Sequence, residues 1–187
     1  MIKNEVTKAI LERRSIRAYK PQQITKEELD TVIECGFLAP SGSNNQKWYL
    51  SVVQNEDLIK RISKKNAVFM LNNPDIPEDR KARFEDPNFS FTFGAPTVIF
   101  IACPENENGI DASFLAENMV LTAQSIGLGT CYLGGIMAYL NTDEGKEFVK
   151  EFNFPKGYRV LYGLTLGYPD EVPDPKPRDF GKVVYVK

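Results

Sequence analysis

Residues 97–103, Thr-Val-Ile-Phe-Ile-Ala-Cys, decide the class of fold that this sequence can adopt. The run is rich in β-branched residues and apolar on both faces of an extended chain, which is typical of a strand in the middle of a sheet. Residues 47–53 predict a second buried strand, and residues 158–166 predict a third. An apolar run at the end of the chain, Val183–Val186, needs a sheet edge to join, and a second subunit can provide one.

Apolar residues at helical spacing predict helices around these strands. We expect a helix led by the capping box of Thr25 and Glu28, and another capped by Asn141 with Glu144. The long helix that ends at Gly127 should be largely buried. The predicted helices before residue 130 cover residues 2–13, 25–39, 56–65 and 111–126.

Residues 66–93 are the least regular stretch and contain three prolines. They form either a lid over a site or a surface excursion, and the sequence leaves both interpretations open.

Composition narrows the classes of function. The 187 residues show no internal repeat, so we expect one domain over residues 1–187. The net charge of −2 gives no reason to expect a nucleic-acid or membrane partner, and three scattered cysteines suit the cytoplasm. The chain has no histidine, which excludes Ser-His-Asp and Cys-His catalysis and histidine-bound metals. We therefore expect no metal site, and the chemistry must come from another side chain or from a bound cofactor.

Three arginines and a serine follow the first predicted helix, in the stretch Glu12-Arg13-Arg14-Ser15-Ile16-Arg17. If this stretch is extended, Arg13, Ser15 and Arg17 share one face and line an anion site, because guanidinium groups bind phosphate through paired hydrogen bonds. The alternative is that the arginines are solvated charges at a helix C-terminus.

Two loops have small, polar or glycine-rich sequences. Residues 41–46, Ser-Gly-Ser-Asn-Asn-Gln, are either a plain connector or a rigidly placed binding loop. Residues 127–135 contain four glycines, which fit either tight turns or close approach of the backbone to a flat ligand.

Taken together, these segments resemble the FMN-dependent nitroreductase family over nearly the whole chain. The motifs that carry the resemblance occur in the family's order and are Arg13–Arg17, Ala39–Trp48, Gly94-Ala95-Pro96, the glycine segment 127–135, and Arg178. The resemblance implies an α+β fold with a central, mostly antiparallel sheet flanked by helices. It also implies an intertwined homodimer that exchanges C-terminal arms and binds FMN at its interface.

The resemblance also implies roles for individual residues. Arg13, Ser15 and Arg178 match the phosphate site, while Arg17 matches the cation near flavin N1 and O2. Arg14 matches a contact to the ribityl chain or a ring carbonyl. An amide contact from Asn66 is left out, because the residues around it match the family poorly. The partner subunit's loop corresponds to Pro40, Ser41, Gly42, Asn44 and Gln46, and the segment beneath the ring corresponds to Leu133, Gly134 and Gly135.

The implied activity is a ping-pong oxidoreductase with no catalytic side chain. NADH or NADPH gives hydride to flavin N5, and a nitroaromatic, quinone or similar flat electrophile then takes the electrons. The alternatives are a specialised FMN enzyme on the same scaffold (dehalogenation, ring oxidation or flavin fragmentation), a non-catalytic FMN-binding or redox-sensing protein, and a structural dimer whose arginines are surface charge.

Overall fold

A four-stranded antiparallel sheet forms the centre of the protein. The computed structural model describes residues 2–187. The strands are β1 (Tyr49–Val53), β2 (Thr97–Pro104), β3 (Gly129–Leu133) and β4 (Tyr158–Gly167), and their order in the sheet is β1-β2-β4-β3. All three pairings are antiparallel. The predicted α+β class and antiparallel sheet are therefore confirmed.

Helices cover both faces of the sheet. They are α1 (Glu5–Glu12), α2 (Lys26–Phe37), α3 (Glu56–Asn72), α4 (Glu78–Glu85), α5 (Ile110–Ser125), α6 (Met137–Leu140) and α7 (Asp143–Glu151). Alternate residues of β2 face two separate cores, as the period of a strand requires. Ile99 and Ile101 pack with side chains of α2 and α5, whereas Val98 and Phe100 pack with side chains of α3, α6 and α7.

The prediction for β2 is confirmed, since seven of its eight residues are buried. The prediction that residues 47–53 form a buried strand is wrong. β1 begins at Tyr49 and is an edge strand, with Tyr49 47% and Val52 36% exposed. A run of apolar residues cannot distinguish an edge from a centre, because strand order depends on pairing with distant segments.

The helix predictions need four corrections. The first helix covers Glu5–Glu12 and is capped by Asn4, and the helix predicted over 56–65 continues to Asn72. Thr142 caps α7 in place of Asn141, because its side chain accepts the N–H of Gly145. The helix predicted over 111–126 is buried on one face only, since Phe114 and Ile126 are 49% and 39% exposed. Gly127 ends that helix with φ +82°, as predicted.

The chain after β4 is an exposed arm, and its root is fixed at residues 168–171. The N–H of Lys20 donates to the Tyr168 carbonyl, and the N–H of Asp170 donates to the Ala18 carbonyl, both at 2.9 Å. No strand forms over the predicted Val183–Val186 within the single chain of residues 2–187. Within that range, no helix is long and apolar enough to cross a membrane.

Candidate functional site

The arginine stretch lies against the start of β3. After α1 the backbone becomes extended at Arg13, with ψ 131°. Ser15 forms a parallel bridge to Thr130, and the N–H of Ile16 donates to the Thr130 carbonyl at 2.9 Å. Ile16 is 7% exposed and packs closely over Gly129, so it anchors the stretch to the fold.

Arg13, Ser15 and Arg17 all influence the pKa of one buried group, the thiol of Cys131 on β3. Burial raises the pKa of Cys131, and the Arg17 charge, a hydrogen bond from Ser15 and the Arg13 charge act in the opposite direction. The prediction that these three side chains share one face of the stretch stays a prediction. Nη1 of Arg17 also donates to the Ser15 carbonyl at 3.3 Å. We call Arg13, Ser15 and Arg17 the arginine row, which consists of two cations with a hydroxyl residue between them in the chain.

A buried polar network next to the arginine row joins Tyr19, Thr165 and Cys131. The hydroxyl groups of Tyr19 and Thr165 lie 2.6 Å apart, and the Thr165 hydroxyl accepts the N–H of Cys131 at 2.8 Å. Burial, the largest influence, raises the pKa of the Tyr19 phenol far above its usual range, so it stays neutral. A fixed neutral network holds β3 and the arginine stretch in register without adding charge to the site.

The Arg14 side chain folds back onto the end of α1. Its Nη1 donates to the carbonyls of Leu11 and Arg13, each at 2.8 Å, while its buried Nε has no partner within the described residues. A cation on the last carbonyls of a helix is a C-terminal cap. The structure therefore places Arg14 at the end of α1 and apart from the Arg13–Ser15–Arg17 row.

The predicted binding loop is exposed and strained. Ser43, Asn44 and Gln46 have φ values of +52°, +55° and +49°, which are unfavourable for residues with a Cβ. The loop is held by hydrogen bonds: the N–H of Gln46 donates to Ser41 Oγ at 3.0 Å, and the N–H of Gly42 donates to Asp111 Oδ2 at 3.1 Å. Pro40, Gly42, Asn44 and Gln46 are all exposed, and Ser41 is half-buried. The loop therefore has a fixed conformation, and its polar groups are accessible to solvent.

This loop and the arginine row lie at opposite ends of α5. Gly42 is bonded to Asp111 in the first turn of that helix, whereas Ser15 is bridged to Thr130, just beyond its last residue. Because α5 has 16 residues, its ends are about 24 Å apart. Within one chain, the two predicted halves of the site do not come together.

The glycine segment lies at the other end of β3 from the arginine row. A Cβ on Gly134 would lie 2.4 Å from Cε1 of Tyr132, whose ring covers this position and lies 5.1 Å from the Tyr162 ring. Gly135 is exposed, and its N–H donates to no backbone carbonyl among the turn and loop bonds of residues 2–187. Leu133 is buried. The segment therefore presents bare backbone at the end of the strand, about 15 Å along from Thr130.

Asn66 is a candidate that the sequence analysis set aside. Its side chain is fully buried, and neither amide atom has a hydrogen-bond partner in the described part of the chain. A buried amide without partners is rare and calls for a ligand or a movement to satisfy it. The signal in the sequence was an asparagine on the apolar face of a helix, between Ile62 and Met70.

Arg178 is exposed on the arm, where its Nη1 donates a hydrogen bond to the Lys176 carbonyl at 3.5 Å. It does not join Arg13 and Ser15 within one chain. The first residues of the arm nevertheless contact the arginine row, because the Glu171 carboxylate accepts the N–H of Arg17.

Comparison with known proteins identifies the family. The nitroreductase family model matches residues 10–168, so the chain belongs to the nitroreductase family, a family of oxidoreductases. It is 30% identical to the NADPH-flavin oxidoreductase of Vibrio harveyi over 186 residues, which cover 94% of this chain and 70% of that one. It is 28% identical to the FMN reductase (NADPH) of Bacillus subtilis, with 97% and 73% covered. A nitroreductase with bound FMN from Desulfitobacterium hafniense superimposes with a TM-score of 0.90 at 27% identity, over all of both chains.

Proposed function

We propose that this protein is an FMN-dependent oxidoreductase that takes electrons from NADH or NADPH. The observation that carries the proposal is the position of the arginine stretch, which is bridged to the start of β3, the strand that leads into Gly134 and Gly135. A guanidinium and a hydroxyl, those of Arg13 and Ser15, suit a phosphate, and the bare backbone of the glycines suits a flat ring. The names of the relatives from V. harveyi and B. subtilis support this assignment.

The residues fit a phosphorylated flavin in charge and in chemistry. Arg13 and Ser15 would hold the phosphate, and Arg17 would lie near the N1 and O2 side of the ring. Leu133, Gly134 and Gly135 would lie beneath the ring, where the free N–H of Gly135 is a ready donor. The buried amide of Asn66, which has no partner among the described residues, is a further polar group that a ligand can satisfy.

A second copy of the chain would complete the site. The loop residues Pro40, Ser41, Gly42, Asn44 and Gln46 lie at the far end of α5 from the row, so they can reach the same FMN only from a partner subunit. Arg178 would likewise reach a phosphate only after its arm docks on another chain.

Exposed apolar side chains support the homodimer. Val6 and Ile10 of α1 are 64% and 52% exposed. In the arm, Phe180 and the residues Val183–Val186 are exposed, with exposed fractions between 58% and 94%. Apolar surface of this extent is typical of an interface. We infer that the arms are exchanged and that Val183–Val186 pair with a free strand edge of the partner.

When bound, FMN accepts hydride from a nicotinamide and passes electrons to a flat electrophile such as a nitroaromatic or a quinone. The protein's residues position the cofactor and set its electrostatics. The Arg17 guanidinium would stabilise the negative charge of the reduced ring. The chain supplies no histidine, so proton transfer by a histidine takes no part.

Competition between FMN and riboflavin tests the phosphate assignment. We expect FMN to bind at least about a hundredfold more tightly than riboflavin, because charge-assisted hydrogen bonds contribute about 1.5–3 kcal/mol each. Arg13→Ala should remove most of this preference, whereas Lys8→Ala, an exposed cation on α1, should not. Equal affinity for the two flavins in the unmodified protein would overturn the assignment.

A further inference from the structure

Glu171 is a half-buried acid at the root of the arm, where the chain lies against the arginine row. Residues 17–20 and 168–171 run antiparallel and are joined by two backbone hydrogen bonds of 2.9 Å. At the end of this short pairing, the Glu171 carboxylate accepts the backbone N–H of Arg17. A negatively charged side chain is therefore fixed to the backbone of the residue that we place beside the flavin.

No side-chain cation neutralises Glu171. Among the residues that the structure describes, its carboxylate forms no ion pair with a lysine or an arginine. The Arg17 guanidinium extends towards the Phe93 ring, whose centre lies 6.0 Å away. Because the two charges are not paired with each other, each acts separately on its surroundings.

Two buried groups respond to both charges. Burial is the largest influence on the pKa values of Tyr19 and Cys131 and raises both of them. The negative charge of Glu171 raises them further, whereas the positive charge of Arg17 lowers them. Asp170, an exposed acid one residue earlier, is not among the groups that shift either pKa. Glu171 therefore differs from its neighbour in the reach of its charge.

We propose that Glu171 opposes Arg17 in setting the reduction potential of the bound FMN. A cation near the ring favours the negative charge of the reduced ring, and an acid nearby disfavours it. Arg17 would thus favour uptake of electrons from the nicotinamide, while Glu171 would favour their transfer to the acceptor. This inference rests on the proposed function.

One substitution separates the charge of Glu171 from its hydrogen bond. A purely structural contact needs only an acceptor for the Arg17 N–H, whereas the proposed role needs a negative charge. In Glu171→Gln the amide oxygen can still accept that N–H, but the charge is gone. Asp170→Asn is the matched control, because it removes the same charge from the adjacent residue of the arm.

The reduction potential of the FMN-loaded protein is the first measurement. We expect Glu171→Gln to favour the reduced form of the cofactor about threefold, which raises the potential of a two-electron couple by about 14 mV. Asp170→Asn should leave the potential unchanged, and equilibrium dye titration measures both variants. An unchanged potential in Glu171→Gln, or an equal rise in Asp170→Asn, would overturn the proposal. An unmodified protein that binds no FMN would instead contradict the proposed function.

Hydrogen exchange of the Arg17 amide tests the contact without any flavin. Glu171→Ala removes the acceptor of this N–H, so the amide should exchange about fivefold faster than in the unmodified protein. Glu171→Gln should retain the slow exchange, which would assign its change in potential to the lost charge. Equal exchange rates in Glu171→Ala and the unmodified protein would overturn the contact on which the proposal depends.

Discussion

Arg17 is the single residue on which the proposed electrostatics depend most. Its side chain is exposed, and its guanidinium lies 6.0 Å from the centre of the Phe93 ring. In the proposed complex it lies beside the part of the flavin that becomes negative on reduction. Its charge therefore matters more than its shape.

Arg17→Ala should lower the reduction potential of the bound FMN by about 30 mV or more, which corresponds to about 1.4 kcal/mol for a two-electron couple. Arg17→Lys keeps the charge and should retain most of the potential, and Lys20→Ala, an exposed cation nearby, should leave it unchanged. Equilibrium dye titration measures each value. A potential unaffected by Arg17→Ala would place this cation away from the ring.

Gly134 has no room for a methyl group unless Tyr132 moves. The clash would be with the outer atoms of a ring that is 60% exposed, so the ring can turn aside at modest cost. Gly134→Ala should therefore reduce the free energy of unfolding by about 1 kcal/mol, through loss of the contact between Tyr132 and Tyr162.

In a Tyr132→Ala background, Gly134→Ala should leave the free energy of unfolding unchanged, because the clash and the ring contact are both gone. Urea unfolding of the four proteins in this cycle measures the coupling. Equal costs in both backgrounds would show that Tyr132 is not the obstacle at position 134.

At the scale of elements, the start of α2 links pH to stability. The backbone N–H of Thr25, followed by the Tyr168 and Thr25 hydroxyl groups, lowers the pKa of Glu28 below its ordinary value of 4.5. Because the folded state favours the ionised form, this stabilisation is present above about pH 4.5. It is lost as the pH falls through the lower folded-state pKa.

Glu28→Gln keeps the capping geometry but removes the charge. We expect this variant to be less stable than the unmodified protein at pH 7, by about 1 kcal/mol, with the difference narrowing towards pH 3. Glu27→Gln, which is exposed in the same turn, should show no such trend. A difference that widens in acid would contradict the assigned shift.

The elements that sequence reasoning located were those fixed by local signals. β2 was found because it is apolar on both faces, and the capping box at Thr25 was found because its spacing is local. The edge position of β1 was missed, because strand order depends on contacts between distant segments. The arginine row was predicted as one face of an extended chain, from residue spacing alone. What brings the row to β3, the bridge from Ser15 to Thr130, is a long-range pairing that no local pattern contains.

At the scale of the whole molecule, the proposed FMN site needs residues from two chains. Arg178 and the loop of residues 40–46 have no place beside Arg13 within one subunit. Ending the chain at Asp179 would remove Phe180 and the terminal apolar run while keeping Arg178. We expect the shortened protein to be monomeric and to bind FMN at least about tenfold more weakly.

Sedimentation of the full-length and shortened proteins measures this, and the variant Val172→Ser, in which the arm is altered but not shortened, is the control. A shortened protein that remains a dimer with FMN bound would show that the last eight residues do not hold the subunits together.

The most direct test of the central claim is an anaerobic stopped-flow experiment on the purified protein, followed at the visible absorption band of oxidised flavin. Mixing with NADH or NADPH should bleach the band rapidly, and a second mixing with a nitroaromatic or a quinone should restore it. The faster nicotinamide identifies the donor. Bound flavin that neither nicotinamide bleaches, or a protein that takes up no FMN, would contradict the assignment of an FMN-dependent NAD(P)H oxidoreductase.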